Sequence, residues 1–382
     1  MNAIPVVKSF LPPLAQYTEL LEGIWQRNQL TNHGPLVAQL ESTLQDYLQV
    51  PALKLIANGT IALDIGIEAL GWQGEVITTP FSYVASTSAL AWKRIKPVFV
   101  DIDEKTLTLN PDLVERAITP KTTGILATHV YGNPCDVMAL QDIAKRHNLT
   151  ILYDGAHAFG VKYQGQSIFN YGSMSMSSFH ATKIFHTVEG GALITKSPAL
   201  ADRIAHFRNF GHCSEEDFSD VGINGKCSEF HAAMGLCVLP SVADRIAERR
   251  VLSDYYDARL LDKWLLRRPV IRSGTSYNYA YYPLIFPTET AAVAAKKALN
   301  LENIYPRRYF FPSLSTLPYV DHQPMPMAES IASRVLCLPL GSHVSEAIRD
   351  RIATLIENTL KDFSAHDVRP VVVEGLAATS PS

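Results

Sequence analysis

Cysteine is scarce in this chain of 382 residues: five thiols, Cys135, Cys213, Cys227, Cys237 and Cys337, and no CxxC pair among them. An odd, scattered set argues against a disulfide framework and against a structural zinc site. Long apolar runs are lacking as well. No stretch approaches the ~18 residues of a membrane span. The opening Met1-Asn2-Ala3-Ile4-Pro5 has no basic region followed by an apolar one, so no signal peptide is expected. Charge of one sign is not in excess: 34 Lys and Arg against 37 Asp and Glu give a net −3. That balance offers no ground for nucleic acid or an anionic membrane as partner, although a small anion needs only a local site. Also missing are GxGxxG, GxxxxGK[ST] and any metal-spaced His/Cys set, so the main dinucleotide, P-loop and metal readings fall away. The expectation is a cytoplasmic protein with no metal.

What is present is an ordinary globular composition, 47% hydrophobic and 19% charged, long enough for two or three domains. Short apolar stretches at 53–57, 75–79, 97–101, 124–128 and 150–153 read as strands. Helical patterns at 60–70, 85–92 and 138–146 lie between them. Alternation of this kind predicts an α/β fold with a mostly parallel sheet covered on both faces. Two further strand candidates, 173–178 and 191–195, are separated by a loop rich in His and Gly, which predicts a local reversal in the sheet. A long helix is expected over 228–250, a strand-like aromatic stretch over 277–286, and helices over 288–299 and 345–363. The large domain is taken as 13–244 and a smaller C-terminal α+β domain as 245–370, with 1–12 packing on it. Residues 371–382, ending Ala377-Ala378-Thr379-Ser380-Pro381-Ser382, have the makeup of a disordered tail.

Ligands of open α/β sheets collect at the carboxyl ends of the strands. Three places there carry chemistry. Asn58-Gly59-Thr60 follows a strand and opens a helix, where free N–H groups and the helix dipole favour an anion. The competing reading is a plain N-cap and turn. Asp154 ends a strand, and a buried carboxylate is costly unless paired; a protonated pyridine nitrogen is one partner, a helix-capping role the alternative. His157 lies three residues on. Ser178-Phe179-His180-Ala181-Thr182-Lys183 places a lysine at the active edge of the sheet, where burial favours the neutral, nucleophilic amine. A surface lysine before a hairpin loop is the bland alternative. Taken together, an anion cradle, a carboxylate and a lysine in that order outweigh the separate alternatives.

At these residues the sequence resembles the DegT/DnrJ/EryC1/StrS family of nucleotide-sugar aminotransferases, over nearly the whole chain. The resemblance rests on Asn58-Gly59-Thr60-Ile61-Ala62-Leu63, Thr79-Pro80-Phe81-Ser82-Tyr83-Val84-Ala85, His129-Val130-Tyr131-Gly132-Asn133-Pro134, Asp154-Gly155-Ala156-His157-Ala158, the stretch from Ser178 to Lys183, and Gly222-Ile223-Asn224-Gly225-Lys226. It implies the aspartate-aminotransferase-like fold (PLP fold type I) and pyridoxal 5'-phosphate as cofactor, passing through pyridoxamine 5'-phosphate during turnover. It further implies that Lys183 carries the cofactor and shuttles the proton, and that Asp154 pairs with the pyridine nitrogen. His157 would stand near the phenolic oxygen, and Tyr83 would stack on the ring. Gly59, Thr60 and Ser178 would hold the phosphate, with Asn224 reaching it from the neighbouring subunit of a homodimer with shared active sites. Arg307-Arg308-Tyr309 resembles a substrate-contacting stretch. Two departures stand out: Asn58 replaces a frequent Ser, and the Pro80–Tyr83 segment is one residue shorter than the common form.

Within the family, Phe10-Leu11-Pro12-Pro13, Leu30-Thr31-Asn32-His33-Gly34-Pro35 and Ile168-Phe169-Asn170-Tyr171-Gly172 resemble members that aminate dTDP-4-keto-6-deoxyglucose at carbon 4, the viosamine type, with L-glutamate as donor. Members that aminate the 3-keto isomer are similar. A sugar dehydratase on the same fold and a non-catalytic sensor are the remaining alternatives. The first is disfavoured by the presence of Lys183, the second by the intact set of Lys183, Asp154 and Ser178.

Overall fold

The computed structural model describes residues 3–261 and 263–364. A seven-stranded sheet organises the first two thirds of the chain: β1 Ala52–Ile56, β2 Glu75–Thr78, β3 Lys96–Phe99, β4 Thr122–Thr128, β5 Thr150–Asp154, β6 Met174–Ser178 and β7 Gly191–Thr195. Their spatial order is β1-β7-β6-β5-β4-β2-β3. β6, β5, β4, β2 and β3 run parallel, and β7 is antiparallel to both β6 and β1. That is the reversal expected from the loop between 178 and 191.

Side chains alternate across this sheet because strand periodicity is two. Leu152 of β5 packs with Val76, Leu126, Met174 and Leu193 on one face, under helices Gly59–Ala69, Val84–Trp92 and Pro198–Phe207. Ile151 and Tyr153 turn to the other face, with Ile77, Ile125, Ala127, Ala192 and Ile194. Helices Pro35–Leu48, Val137–Arg146 and Glu229–Val238 cover that side. Gly66 lets its helix lie close to the sheet: a Cβ there would stand 3.2 Å from side-chain atoms of Leu152 and Leu193.

The helix expected over 228–250 is two helices, Glu229–Val238 and Val242–Leu260, joined by a 3₁₀ turn at Leu239–Ser241. Pro240 lacks the N–H an unbroken α-helix would use. The second helix carries Leu252, Tyr256 and Leu260 into a separate C-terminal core with Tyr282, Leu284, Leu336, Leu338, Ile352 and Ile356. The stretch 277–286 is strand only at Tyr282–Ile285, which pairs antiparallel with Val335–Leu338. Asn278 departs from it to donate to the carbonyls of His157 and Phe159, at 2.8 and 2.9 Å. The N-terminal Ile4–Pro5 pairs in parallel with Ile304–Tyr305, and Ile4 is buried in the C-terminal core. Residues 371–382 lie outside the described residues. Among the described residues no helix is long and apolar enough to cross a membrane.

Candidate active site

The ends of β1, β2, β4, β5 and β6 converge on one cleft of about 500 Å³. At the end of β1, Asn58 has an extended backbone, φ −165°, and its Oδ1 accepts from the N–H of Ile61 at 2.9 Å. Asn58 is therefore an N-cap. Capping at the third helical residue leaves the N–H groups of Gly59 and Thr60 without an acceptor among the described residues, at the positive end of an 11-residue helix. The cap and the anion cradle are compatible readings of the same turn. A Cβ on Gly59 would stand 3.1 Å from Cβ of Ser178, so the helix start lies against the hydroxyl that ends β6. Gly59, Thr60 and Ser178 are thereby gathered at one end of the cleft.

Asp154, 4% exposed at the end of β5, holds the middle. Its Oδ1 accepts from the N–H of Ala156 at 3.0 Å and its Oδ2 from Oγ of Ser86 at 2.8 Å. Burial pushes its pKa above the ordinary aspartate value, against the pull of the Ala156 N–H, the Ser86 hydroxyl and Lys183. The local turn expected of a capping Asp is present, yet both donors are neutral, so a buried carboxylate still has room for a cationic partner.

Lys183 does not close β6. It sits five residues past Ser178, in a turn where its N–H donates to the carbonyl of His180 at 2.9 Å. The following residues are braced from outside the sheet: the Arg245 guanidinium donates to the Ile184 carbonyl, and the His186 ring meets the Phe10 carbonyl at 2.8 Å. The Lys183 amine has no hydrogen-bond partner among the described residues. Burial holds its pKa below the ordinary lysine value, opposed by Tyr309, Asp154 and Tyr83.

His157 forms part of the wall. Its ring lies parallel to Phe310 at 5.6 Å and to Tyr131 at 6.3 Å, and burial with nearby Lys183 holds its pKa well below the usual imidazole value. The shift favours the uncharged imidazole, and its buried Nδ1 has no hydrogen-bond partner among the described residues. Tyr83 lines the cleft immediately before helix Val84–Trp92, 60% exposed. Arg307 and Tyr309 enter from the stretch that follows strand Ile304–Tyr305, Arg307 Nη1 donating to the Tyr309 hydroxyl at 2.8 Å. Burial pushes the Tyr309 phenol up to about 12. Arg308 does not line this cleft but an adjoining hollow: it donates to Glu289 and the Ser333 carbonyl, both at 2.7 Å, and covers the Phe311 ring. Asn224 is exposed, pairs through its backbone with Asn209, and does not line the cleft of its own chain.

Sequence reasoning missed Ser82, Ser86 and Thr128, which line up beside Asp154. The available signal was weak: two serines four apart, at the start of a helix whose other residues are mostly apolar.

The donor set fits pyridoxal phosphate. Two open N–H groups and a serine hydroxyl suit its phosphate. A buried carboxylate with only neutral donors suits its pyridinium nitrogen, and an unpartnered amine faces the same space.

A model of the DegT/DnrJ/EryC1/StrS aminotransferase family matches residues 15–357. The dTDP-4-amino-4,6-dideoxy-D-glucose transaminase of Shigella dysenteriae is 41% identical, over 92% of this chain and 97% of that protein. The transaminase of the same description from Escherichia coli is 37% identical, over 93% and 98%. Among solved structures, DesI in the presence of its TDP-sugar product superposes with a TM-score of 0.90 at 31% identity, over 96% of this chain and 95% of that one.

Proposed function

The chain belongs to the DegT/DnrJ/EryC1/StrS aminotransferase family, and from that premise we propose that it uses pyridoxal 5'-phosphate to move the amino group of L-glutamate onto dTDP-4-keto-6-deoxy-D-glucose, giving the 4-amino-4,6-dideoxy sugar. One observation carries the cofactor reading: the unpartnered Lys183 amine and the buried Asp154 carboxylate share a cleft that ends in the cradle of Gly59, Thr60 and Ser178. The sugar rests on the two transaminase relatives, at 41% and 37% identity over almost the full chain.

When bound, pyridoxal phosphate supplies an aldehyde that accepts the amino group and a protonated ring that withdraws electrons from the neighbouring carbon. The chain's own residues do the rest. Gly59 and Thr60 N–H groups, with Ser178, would hold the phosphate. Asp154 would keep the ring nitrogen protonated. His157, held toward its uncharged form by burial, would stand near the phenolic oxygen, and Tyr83 would supply an aromatic face for the ring. Lys183, whose amine burial shifts toward the neutral form, would hold the cofactor at rest and would be the group in the cleft placed to accept and return a proton. The test is a purified-enzyme assay with L-glutamate against dTDP-linked 4-keto and 3-keto 6-deoxyglucose. NMR should place the new amine on carbon 4; an amine on carbon 3, or none, overturns the assignment.

The two arginines give a sharper check on the small-domain wall. Arg307→Ala should raise the sugar KM about tenfold or more, the loss expected for one charge-assisted hydrogen bond. Arg308→Ala should leave KM near wild type and lower thermal stability instead, because it removes the contacts to Glu289, Ser333 and Phe311. Equal KM effects in steady-state kinetics would contradict this division.

Asn224, placed on the surface beside Gly222 and Gly225, completes the phosphate site of a second copy in a homodimer. Asn224→Ala should weaken the cofactor moderately, since Gly59, Thr60 and Ser178 remain. Asn224→Asp should weaken it strongly, by setting a carboxylate against the phosphate. Mixing inactive Lys183→Ala chains with Asn224→Asp chains under subunit exchange then puts both defects in one site of each hybrid and none in the other. Activity should return to about one quarter of wild type at equal mixing, as a symmetric two-site dimer requires. No recovery despite proven exchange would place both residues in one chain's site.

A further inference from the structure

Beside Asp154 runs a chain of buried hydroxyls from Ser86, which lies behind the cleft wall, to Ser82 and Thr128, which are part of that wall. Ser86 Oγ donates to Oδ2 of Asp154 at 2.8 Å, Ser82 Oγ lies 2.9 Å from Ser86 Oγ, and Thr128 Oγ1 donates to Ser82 Oγ at 3.0 Å. All four groups are at most 4% exposed. The three hydroxyls come from three elements: the turn after β2, the first turn of helix Val84–Trp92, and the last residue of β4. An ionised carboxylate only accepts. Ser86 must therefore give its proton to Asp154, which leaves it able only to accept from Ser82; Ser82 in turn accepts from Thr128. Every hydroxyl dipole points the same way, toward the carboxylate. Aligned hydrogen bonds polarise one another in a low-dielectric interior.

We propose that Ser86 is a positioning residue for Asp154, and that Ser82 and Thr128 back it as a one-way donor chain that fixes the carboxylate's orientation and stabilises its charged form before any cofactor arrives. A single hydroxyl would satisfy one carboxylate oxygen. Three in series hold a negative charge at the end of β5, where burial alone opposes it. The other titratable groups near Asp154 include Lys183 across the cleft, His157 on its own turn and His129 just past the end of β4. Burial holds the His129 imidazole pKa down to about 3, and the His129 backbone N–H donates to the Asp154 backbone carbonyl at 3.0 Å. Lys183 shares the task of favouring the carboxylate's charged form, so the hydroxyl chain is isolated only by varying it while Lys183 stays. The proposal rests on the reading that Asp154 faces the cofactor's ring nitrogen.

The experiment separates the two. In cofactor-free protein labelled at aspartate carboxyl carbons, the Asp154 signal, assigned by its loss in Asp154→Asn, is titrated by NMR. Ser86→Ala should raise its pKa by about one to two units, the size expected for losing one charge-assisted hydrogen bond. Ser82→Ala and Thr128→Val should raise it by progressively less, and Ser86→Thr should keep it near wild type. A flat pKa across Ser86→Ala, Ser82→Ala and Thr128→Val overturns the proposal. If Ser86→Ala does not fold, the other two variants decide by the same criterion. The second readout uses protein loaded with pyridoxal phosphate: Ser86→Ala should shift the pH at which the bound cofactor's absorbance changes. A raised Asp154 pKa with an unmoved cofactor spectrum leaves the hydroxyl chain standing and removes Asp154 from the ring nitrogen.

Discussion

Lys183→Ala is expected to lose at least about 10³-fold in turnover, since on the proposed function one residue supplies both the covalent tether and the general acid–base, a role worth ~10²–10⁴ alone. The absorbance band of lysine-bound cofactor should vanish with it. The fold should survive. The contacts that shape the turn use the Lys183 backbone N–H, the Ile184 carbonyl and the His186 ring, not the lysine amine. Stability should in fact rise slightly at neutral pH. An amine whose folded pKa lies below its ordinary 10.5 binds fewer protons folded than unfolded, which costs stability. That cost is full below the folded pKa and fades as pH climbs toward the unfolded value. The advantage of the alanine variant in thermal melts should therefore shrink as pH rises toward 10.5. Normal turnover with an intact cofactor band in the variant would remove Lys183 from the chemistry.

Asp154→Asn should bind cofactor and react slowly. The amide can still accept from Ala156 through its oxygen, so the turn persists. Its NH₂ must then donate to Ser86, reversing the hydroxyl chain, and it carries no charge to hold the ring nitrogen protonated. Breaking a buried charge pair by removing one partner costs ~3–5 kcal/mol. Expressed in the transition state, that is a rate loss of about 10²–10⁴. Single-turnover kinetics at saturating cofactor measure it directly. An unchanged rate would mean that the carboxylate serves only its turn.

Much of this arrangement was legible in the sequence because it is local. Strand–helix alternation up to residue 195 follows from apolar periodicity, and the reversal at β7 from the loop after Ser178. The order of cradle, carboxylate and lysine survives folding because β1, β5 and β6 run in one direction, β1 through two antiparallel pairings with β7, and strands of one direction deliver their ends to one edge. What escaped is what depends on distant partners. Pro240 was hidden in a continuous helical pattern. The aromatic run from Tyr277 reads as strand until Asn278 is seen to be occupied by His157 and Phe159, more than a hundred residues away. Adjacent Arg307 and Arg308 cannot be told apart in sequence, since Glu289 and Ser333 decide which one leaves the cleft. Serine and threonine hydroxyls are common, so Ser82, Ser86 and Thr128 carried little signal until three separate elements aligned them on Asp154.

The most direct measurement follows the two half-reactions by absorbance on purified protein loaded with pyridoxal phosphate. Adding L-glutamate alone should convert the band of lysine-bound cofactor into that of the pyridoxamine form. Adding dTDP-4-keto-6-deoxy-D-glucose after glutamate is removed should restore the first band, one equivalent of sugar per site. A spectrum that responds to neither addition, in protein shown to hold the cofactor, would contradict amino transfer by this chain.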